Sequence, residues 1–330
     1  MAEYRITLPL CTMYSISEYG SMIADKARMD PYAYALKAVV KPGSVVLDIG
    51  VATGIHALLA CKFGARKVYG VEPNDAIHLA RELAQANNYG DRIEFIQGLS
   101  TDITLPERAD VIVSDLRGIL PLFGQHIPSI VDARQRHLAP GGTLIPERDT
   151  LWVALVECHS IYRYLNKPWD WPYGLNMEAA RQIALNNWTQ DDTESFEPAD
   201  LLTEAQVWTV LDYGTIEDAN VTDSVVVQTV LRKGTAHGWL VWFDTELAEG
   251  IGFSNAPEAR KPTDVYGRAL FPLLEPVPVS RGDVVSLDLR AILEDDEYTW
   301  AWHTQVHAGE ELQRIKAEFQ QSTAYGCDSS

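Results

Sequence analysis

The stretch VVLDIGVATG, residues 45–54, decides how the whole chain is read. Val45 to Ile49 are apolar except for Asp48, which predicts a short buried strand, and Gly50 and Gly54 bracket a turn that opens a helix. Working outward, GIHALLACKFGA (54–65) reads as that helix, KVYGVEP (67–73) as a second strand and DAIHLARELAQANN (75–88) as a second helix. RIEFIQG (92–98) and ADVIVSD (109–115) add strands. A helix over 125–138 then meets LAPGGTLIPE (138–147), where Pro140, Gly141 and Gly142 turn the chain into another strand. Strands alternating with helices predict an α/β fold, a doubly wound, mostly parallel sheet covered on both faces.

Beyond residue 150 the pattern changes. LWVALV, QVWTVLDY, DSVVVQTVL, GWLVWFDTEL, DVVSLDLRAIL and YTWAWHTQV alternate in the manner of antiparallel strands, predicting a barrel or sandwich. The expected division is a first domain over 1–150 and a second over 151–330. Inside the second lies an aromatic, turn-rich insertion at about 159–198 containing IYRYLNKPWDWPYGLNMEAARQI, too long for an ordinary hairpin loop and expected to serve a function or an interface. The last stretch, ELQRIKAEFQQSTAYGCDSS, is charged and then small and polar, and is expected to fray.

Composition narrows the function classes. With 330 residues, 46% of them hydrophobic, and 9 Trp, 14 Tyr and 8 Phe, the chain can bury two cores. A formal charge of −19 argues against nucleic acid, which calls for a basic footprint. No apolar run reaches the roughly 18 residues of a membrane helix, and MAEYRITLPL lacks a signal-peptide pattern, so a cytoplasmic location is expected. Cys11, Cys61, Cys158 and Cys327 have no metal-ligand spacing, so neither a metal site nor a disulfide framework is expected.

The turn after the first strand reads G-x-A-x-G, with Ala52 where a middle glycine is usual, and such a turn brings backbone N–H groups against a bound nucleotide. Glu72, closing the second strand, stands where an acid accepts hydrogen bonds from ribose hydroxyls. Dinucleotide dehydrogenases share that acid, so Glu72 alone does not choose the cofactor.

VLDIGVATG, GARKVYGVEP, VIVSDLRG, LAPGGTLIP, YGLNM and GFSNAP, in this order, resemble the markers of the protein arginine methyltransferase family, over roughly residues 14–295. YSISEYGSMIADKARMDPYAYAL is similar to that family's N-terminal helix, placing its methionine, aspartate and arginine on Met22, Asp25 and Arg28. The resemblance implies a Rossmann-like domain followed by a β-barrel, S-adenosyl-L-methionine as methyl donor, and a homodimer formed through the inserted arm. It also implies that Met22 and Arg28 close over the cofactor, with Arg28 on its carboxylate. Asp48, Gly50 and Thr53 would line the methionine part, Glu72 the ribose, and Ser100 and Thr101 the adenine edge. Thr101 departs from the family's usual glutamate.

The acceptor side departs further. The family grips its substrate with two glutamates after the fourth strand, but here the loop reads SDLRGILPLFGQHIPS, with Asp115 at the first position and Gly124 at the second. The threonine-histidine-tryptophan loop falls on Asp264, Val265 and Tyr266. Arg117 would repel a guanidinium and suits a carboxylate instead. The expected function is methyl transfer to a nitrogen or oxygen of an acceptor held between the domains, a small molecule rather than ordinary protein arginine. In that reading Asp115 orients the acceptor or takes its proton, Tyr266 lines the pocket, and Arg117 recognises an acid group. His126, at a helix start, is a further candidate proton acceptor. Two alternatives stand beside it. One is arginine methylation, by a peptide-directed clamp rebuilt from Asp115 and Asp264. The other is a catalytically inactive, cofactor-binding regulatory protein.

Overall fold

The computed structural model describes residues 14–191, 196–309 and 314–325; Cys11 and Cys327 lie outside them. The first domain opens with α1 (Ile16–Ala24) and α2 (Lys26–Val39). What reads as one helix in the sequence is thus two. Ser15 and Glu18 form a capping box on α1, and Asp25 both ends α1 and caps α2 through the Arg28 N–H. There follow β1 (Val45–Ile49), α3 (Ile55–Lys62), β2 (Lys67–Glu72), α4 (Ala76–Ala86), β3 (Ile93–Gln97), β4 (Ala109–Ser114), α5 (His126–His137) and β5 (Leu138–Ile145). The strands form one sheet in the order β3-β2-β1-β4-β5, every pairing parallel. The order reverses beside β1, so the connections that follow β1 and β4 leave toward opposite faces of the sheet and open a crevice at the carboxyl ends.

The second domain runs through β6 (Arg148–Val156), α6 (His159–Asn166), α7 (Glu178–Leu185), β7 (Thr189–Asp191), β8 (Gln206–Asp212), β9 (Val225–Thr229), β10 (Gly234–Ala248), β11 (Ile251–Ser254), β12 (Arg268–Val279), β13 (Val284–Glu294), β14 (Glu297–His307) and β15 (Ile315–Ser322). It consists of two antiparallel sheets, β7-β12-β10-β6-β8 with β11 beside β10, and β15-β14-β13-β9. Trp239 of β10 and Trp302 of β14 are buried between them, and the Trp239 indole N–H donates to Thr304 Oγ1 across the gap. This is the barrel-like half the alternating strands predict.

The C-terminal stretch corrects the sequence reading: Ile315–Ser322 does not fray but pairs antiparallel with β14 from Ala301 to His307. Its charges sit on an edge strand, where one face is solvated and polar residues cost little. In the arm, α6 and α7 flank two short 3-10 turns, and Tyr164, Trp171, Tyr173 and Leu175 are exposed. Trp169 is half-buried. Among the described residues no helix is long and apolar enough to cross a membrane, and no cluster of His, Cys, Asp or Glu could hold a metal ion. Cys61 and Cys158 are buried and form no disulfide.

Candidate functional site

At the carboxyl end of the parallel sheet lies a cavity of about 660 Å³, floored by the turn after β1 and walled by Met22, Arg28, Glu72, Ser100, Asp115 and His126. That volume suits a nucleotide-sized ligand. Glu72 is buried, and its carboxylate accepts the Ala52 N–H at 3.0 Å and the Asn74 N–H at 3.1 Å. These bonds pin both the turn and the loop after β2. Ala52 is held at φ +46°, a left-handed conformation that costs an L residue about 1–2 kcal/mol. Gly50, at φ +72°, has no such penalty, and a side chain there would strike Leu116. Thr53, Ser100 and Thr101 also line the cavity.

Asp48 does not. It lies below the turn, fully buried with neither carboxylate oxygen hydrogen-bonded, and burial pushes its carboxyl up to about 8. It supports the floor and does not line the cavity.

Arg28 reaches across to Asp115, with Nε 2.7 Å from Oδ2, and its Nη1 donates to the Met22 carbonyl at 3.2 Å. The pairing within the helix that Asp25 offers is therefore not used by the guanidinium. Burial alone would raise the Asp115 carboxyl, but Arg28 and Arg117 beside it outweigh burial and hold it well below the usual carboxylate range. Tyr266 donates its hydroxyl to the same carboxylate, 2.6 and 2.7 Å from the two oxygens, and is itself buried behind Asp115. The expectation that Tyr266 forms pocket wall is corrected to support of Asp115.

Two further acceptor-side expectations change. Asp264 lies on an exposed turn away from the cavity; its backbone N–H, with that of Val265, donates to Asp25 Oδ2. It cannot rebuild a paired clamp. Arg117 is not a free cation awaiting a carboxylate. Its side chain has no exposure, Nε pairs with Asp115 at 3.1 Å and Nη1 with Asp149 at 2.9 Å. At Gly124 the absent side chain leaves space, since a Cβ there would meet only the Asp296 carbonyl at 3.7 Å.

Sequence reasoning missed Asp149, Tyr213 and Thr245. Asp149 Oδ1 accepts from Arg117 and Thr245, and Oδ2 accepts from the Tyr213 hydroxyl at 2.6 Å. Tyr213 in turn meets His126 Nε2 at 3.0 Å. Because the tyrosine proton goes to the carboxylate, its oxygen is the acceptor and Nε2 carries the imidazole proton. Burial and Arg117 push the His126 imidazole down to about 3, so it is neutral and its unpartnered Nδ1 is a bare lone pair. His56 Nε2, on the other side of the cavity, is also unpartnered, with its imidazole pushed down to about 3 by burial and Arg28. Buried polar atoms without partners mark where a polar ligand completes the site.

Residues 147–305 match the arginine methyltransferase oligomerization subdomain, and residues 33–146 match the ribosomal protein L11 methyltransferase family (PrmA). The chain is 30% identical over 256 residues to the probable protein arginine N-methyltransferase 6 of Arabidopsis thaliana, covering 73% of this chain and 58% of that protein. It is 27% identical over 282 residues to protein arginine N-methyltransferase 1 of Chlamydomonas reinhardtii, covering 82% and 80%. The chain belongs to the protein arginine methyltransferase family. Two solved arginine methyltransferase structures share the fold. That of Arabidopsis thaliana protein arginine methyltransferase 10 superposes with TM-score 0.80 at 24% identity, covering 93% of this chain and 97% of that one. The Trypanosoma brucei PRMT1 enzyme-prozyme heterotetrameric complex with AdoHcy gives 0.82 at 22%, covering 92% and 96%. Within the arginine methyltransferases, then, this chain is an S-adenosylmethionine-dependent member.

Proposed function

We propose that this methyltransferase transfers methyl from S-adenosylmethionine to an uncharged nitrogen of a small acceptor placed against Asp115. The observation that carries this reading is the charge state of the wall. Asp115 is held ionised by two guanidinium groups, and His126 is held neutral well below its ordinary range, so neither takes a proton at neutral pH. An acceptor hydroxyl finds no base here, whereas a neutral nitrogen presents its lone pair without prior deprotonation.

S-adenosylmethionine supplies an electrophilic methyl on a sulfonium. In this reading Glu72 takes the ribose hydroxyls, and Arg28, which lines the same cavity, takes the carboxylate. Asp115 orients the acceptor N–H, and the proton released after transfer goes to solvent. Catalysis here is positioning and electrostatics. Incubation with labelled S-adenosylmethionine, a metabolite extract and an arginine-rich peptide tests it: label in small amines is expected, and label in peptide arginine would overturn it.

The five hydrogen-bond and ionic contacts on Asp115 from Arg28, Arg117 and Tyr266 also favour a second reading, a cofactor-binding regulatory subunit without turnover. Label in neither fraction, with intact cofactor binding, selects it.

We further propose a homodimer through the arm, whose exposed Trp171 and Tyr173 are costly to leave in water. Light scattering on Trp171→Ala/Tyr173→Ala is expected to show monomers where the parent shows dimers; a monomeric parent protein defeats the idea.

A further inference from the structure

Arg117 occupies a site with the makeup of a guanidinium receptor. Its Cζ lies 5.2–5.9 Å from the ring centroids of Tyr266, Phe243, Phe253 and Tyr32. Its nitrogens meet Asp115, Asp149, Thr245, the Tyr32 hydroxyl at 2.6 Å and the Tyr266 hydroxyl at 3.3 Å. Aromatic faces, forked carboxylate contacts and full desolvation are what bind a planar cation tightly. One carboxylate of this receptor, Asp115, is also a wall of the cofactor cavity.

The charges balance without any ligand: Arg28 and Arg117 against Asp115 and Asp149. A second guanidinium arriving at Asp115 would find a carboxylate whose charge is already matched by Arg28 and Arg117. It would also face the Arg117 cation across a single carboxylate, where repulsion is little screened.

We propose that Arg117 is a specificity-determining residue, an internal guanidinium that fills the acceptor-side cation slot between Asp115 and Asp149 and so excludes guanidinium acceptors. This rests on the reading above that the acceptor sits at Asp115. The side chain's origin two residues after Asp115, on the same loop, makes the occupant permanent, because no motion of the acceptor can displace a group tethered to the slot's own carboxylate.

The test uses the full chain with S-adenosylhomocysteine bound. Arg117→Ala removes the atoms that ethylguanidinium replaces. Millimolar ethylguanidinium is expected to raise the melting temperature of Arg117→Ala and not of the parent, while ethylurea, its uncharged counterpart, does neither. An arginine-rich peptide is expected to bind Arg117→Ala at least about tenfold more tightly than the parent, a difference calorimetry resolves. Should Arg117→Ala fail to fold with Asp149 uncompensated, Arg117→Met/Asp149→Asn carries the peptide measurement. Equal peptide affinity for parent and variant overturns the proposal, including where ethylguanidinium rescues stability, since the slot would then be closed to the cavity. Affinity for S-adenosylhomocysteine is measured on the parent alone first: its absence would defeat the methyltransferase reading and the Arg117 proposal with it, whereas its presence with unchanged peptide binding defeats only the Arg117 assignment.

Discussion

The two sides of the cavity hold their ligand-facing groups in different ways. On the cofactor side, Glu72 is fixed by main-chain N–H groups within two residues of itself or on the adjacent turn, at Asn74 and Ala52. On the acceptor side, Asp115 is fixed by side chains from α2, from its own loop and from the barrel, separated from it by 87, 2 and 151 residues. A site built on backbone geometry tolerates sequence change around it and keeps its function. A site built on interlocking side chains depends on each of them, as the wall here depends on Arg117 and Asp149.

The comparison breaks most sharply at Asp149→Ala. It leaves the Arg117 guanidinium buried with a shared carboxylate, and removing one partner of a buried pair costs about 3–5 kcal/mol. Urea unfolding is expected to show that loss, with S-adenosylhomocysteine affinity retained in whatever protein remains folded. A loss under about 1 kcal/mol would mean the network is not what holds the acceptor wall.

This asymmetry also explains what the sequence discloses. Glu72, Gly50 and the alternation of strands with helices follow from patterns within a few residues of each other, so they are legible, whereas the order β3-β2-β1-β4-β5 is set by long-range pairing. Arg28 is legible as a cation, yet its Asp115 partner lies on another element. Asp149, Thr245 and Tyr213 look like ordinary polar positions in barrel strands. The one clue is that Asp149 and Thr245 face each other across the β6–β10 register, both at positions with buried side chains, and that register is set by long-range pairing. β15 was obscured because edge strands carry the same polar residues as loose ends.

Acid titration places one histidine from each side in the same measurement. His56 and His126 are both held neutral, down to about 3, so each contributes stability that is whole above about pH 6.5 and is lost as pH falls from there toward 3. Each group adds a slope of up to about 1.4 kcal/mol per pH unit in that window. His56→Leu and His126→Leu are each expected to flatten the acid limb of the urea stability profile. An unchanged limb in both would place the neutral imidazoles elsewhere.

Glu72→Ala removes the acid that receives Ala52 and Asn74 and is expected to weaken S-adenosylhomocysteine binding at least tenfold, since hydrogen bonds to a charged group contribute about 1.5–3 kcal/mol. Unchanged calorimetric affinity would remove Glu72 from the ligand site. The smallest effect tests how far backbone geometry governs the cofactor side: Ala52→Gly relieves a left-handed residue and is expected to stabilise by about 0.5 kcal/mol, the strain relieved exceeding the added chain entropy. Destabilisation would show that the methyl group packs usefully.

One carboxylate, that of Asp25, belongs to neither side of the cavity alone. Oδ1 receives the N–H that starts α2, and Oδ2 receives the N–H groups of Asp264 and Val265, the residues just before Tyr266. The helix that carries Arg28 and the barrel turn that carries Tyr266 are therefore yoked at one point. Order in the cover of the nucleotide and order behind the acceptor's anchor rise and fall together, so a molecule that steadies one half of the cavity arrives at the other half as stiffness rather than as contact.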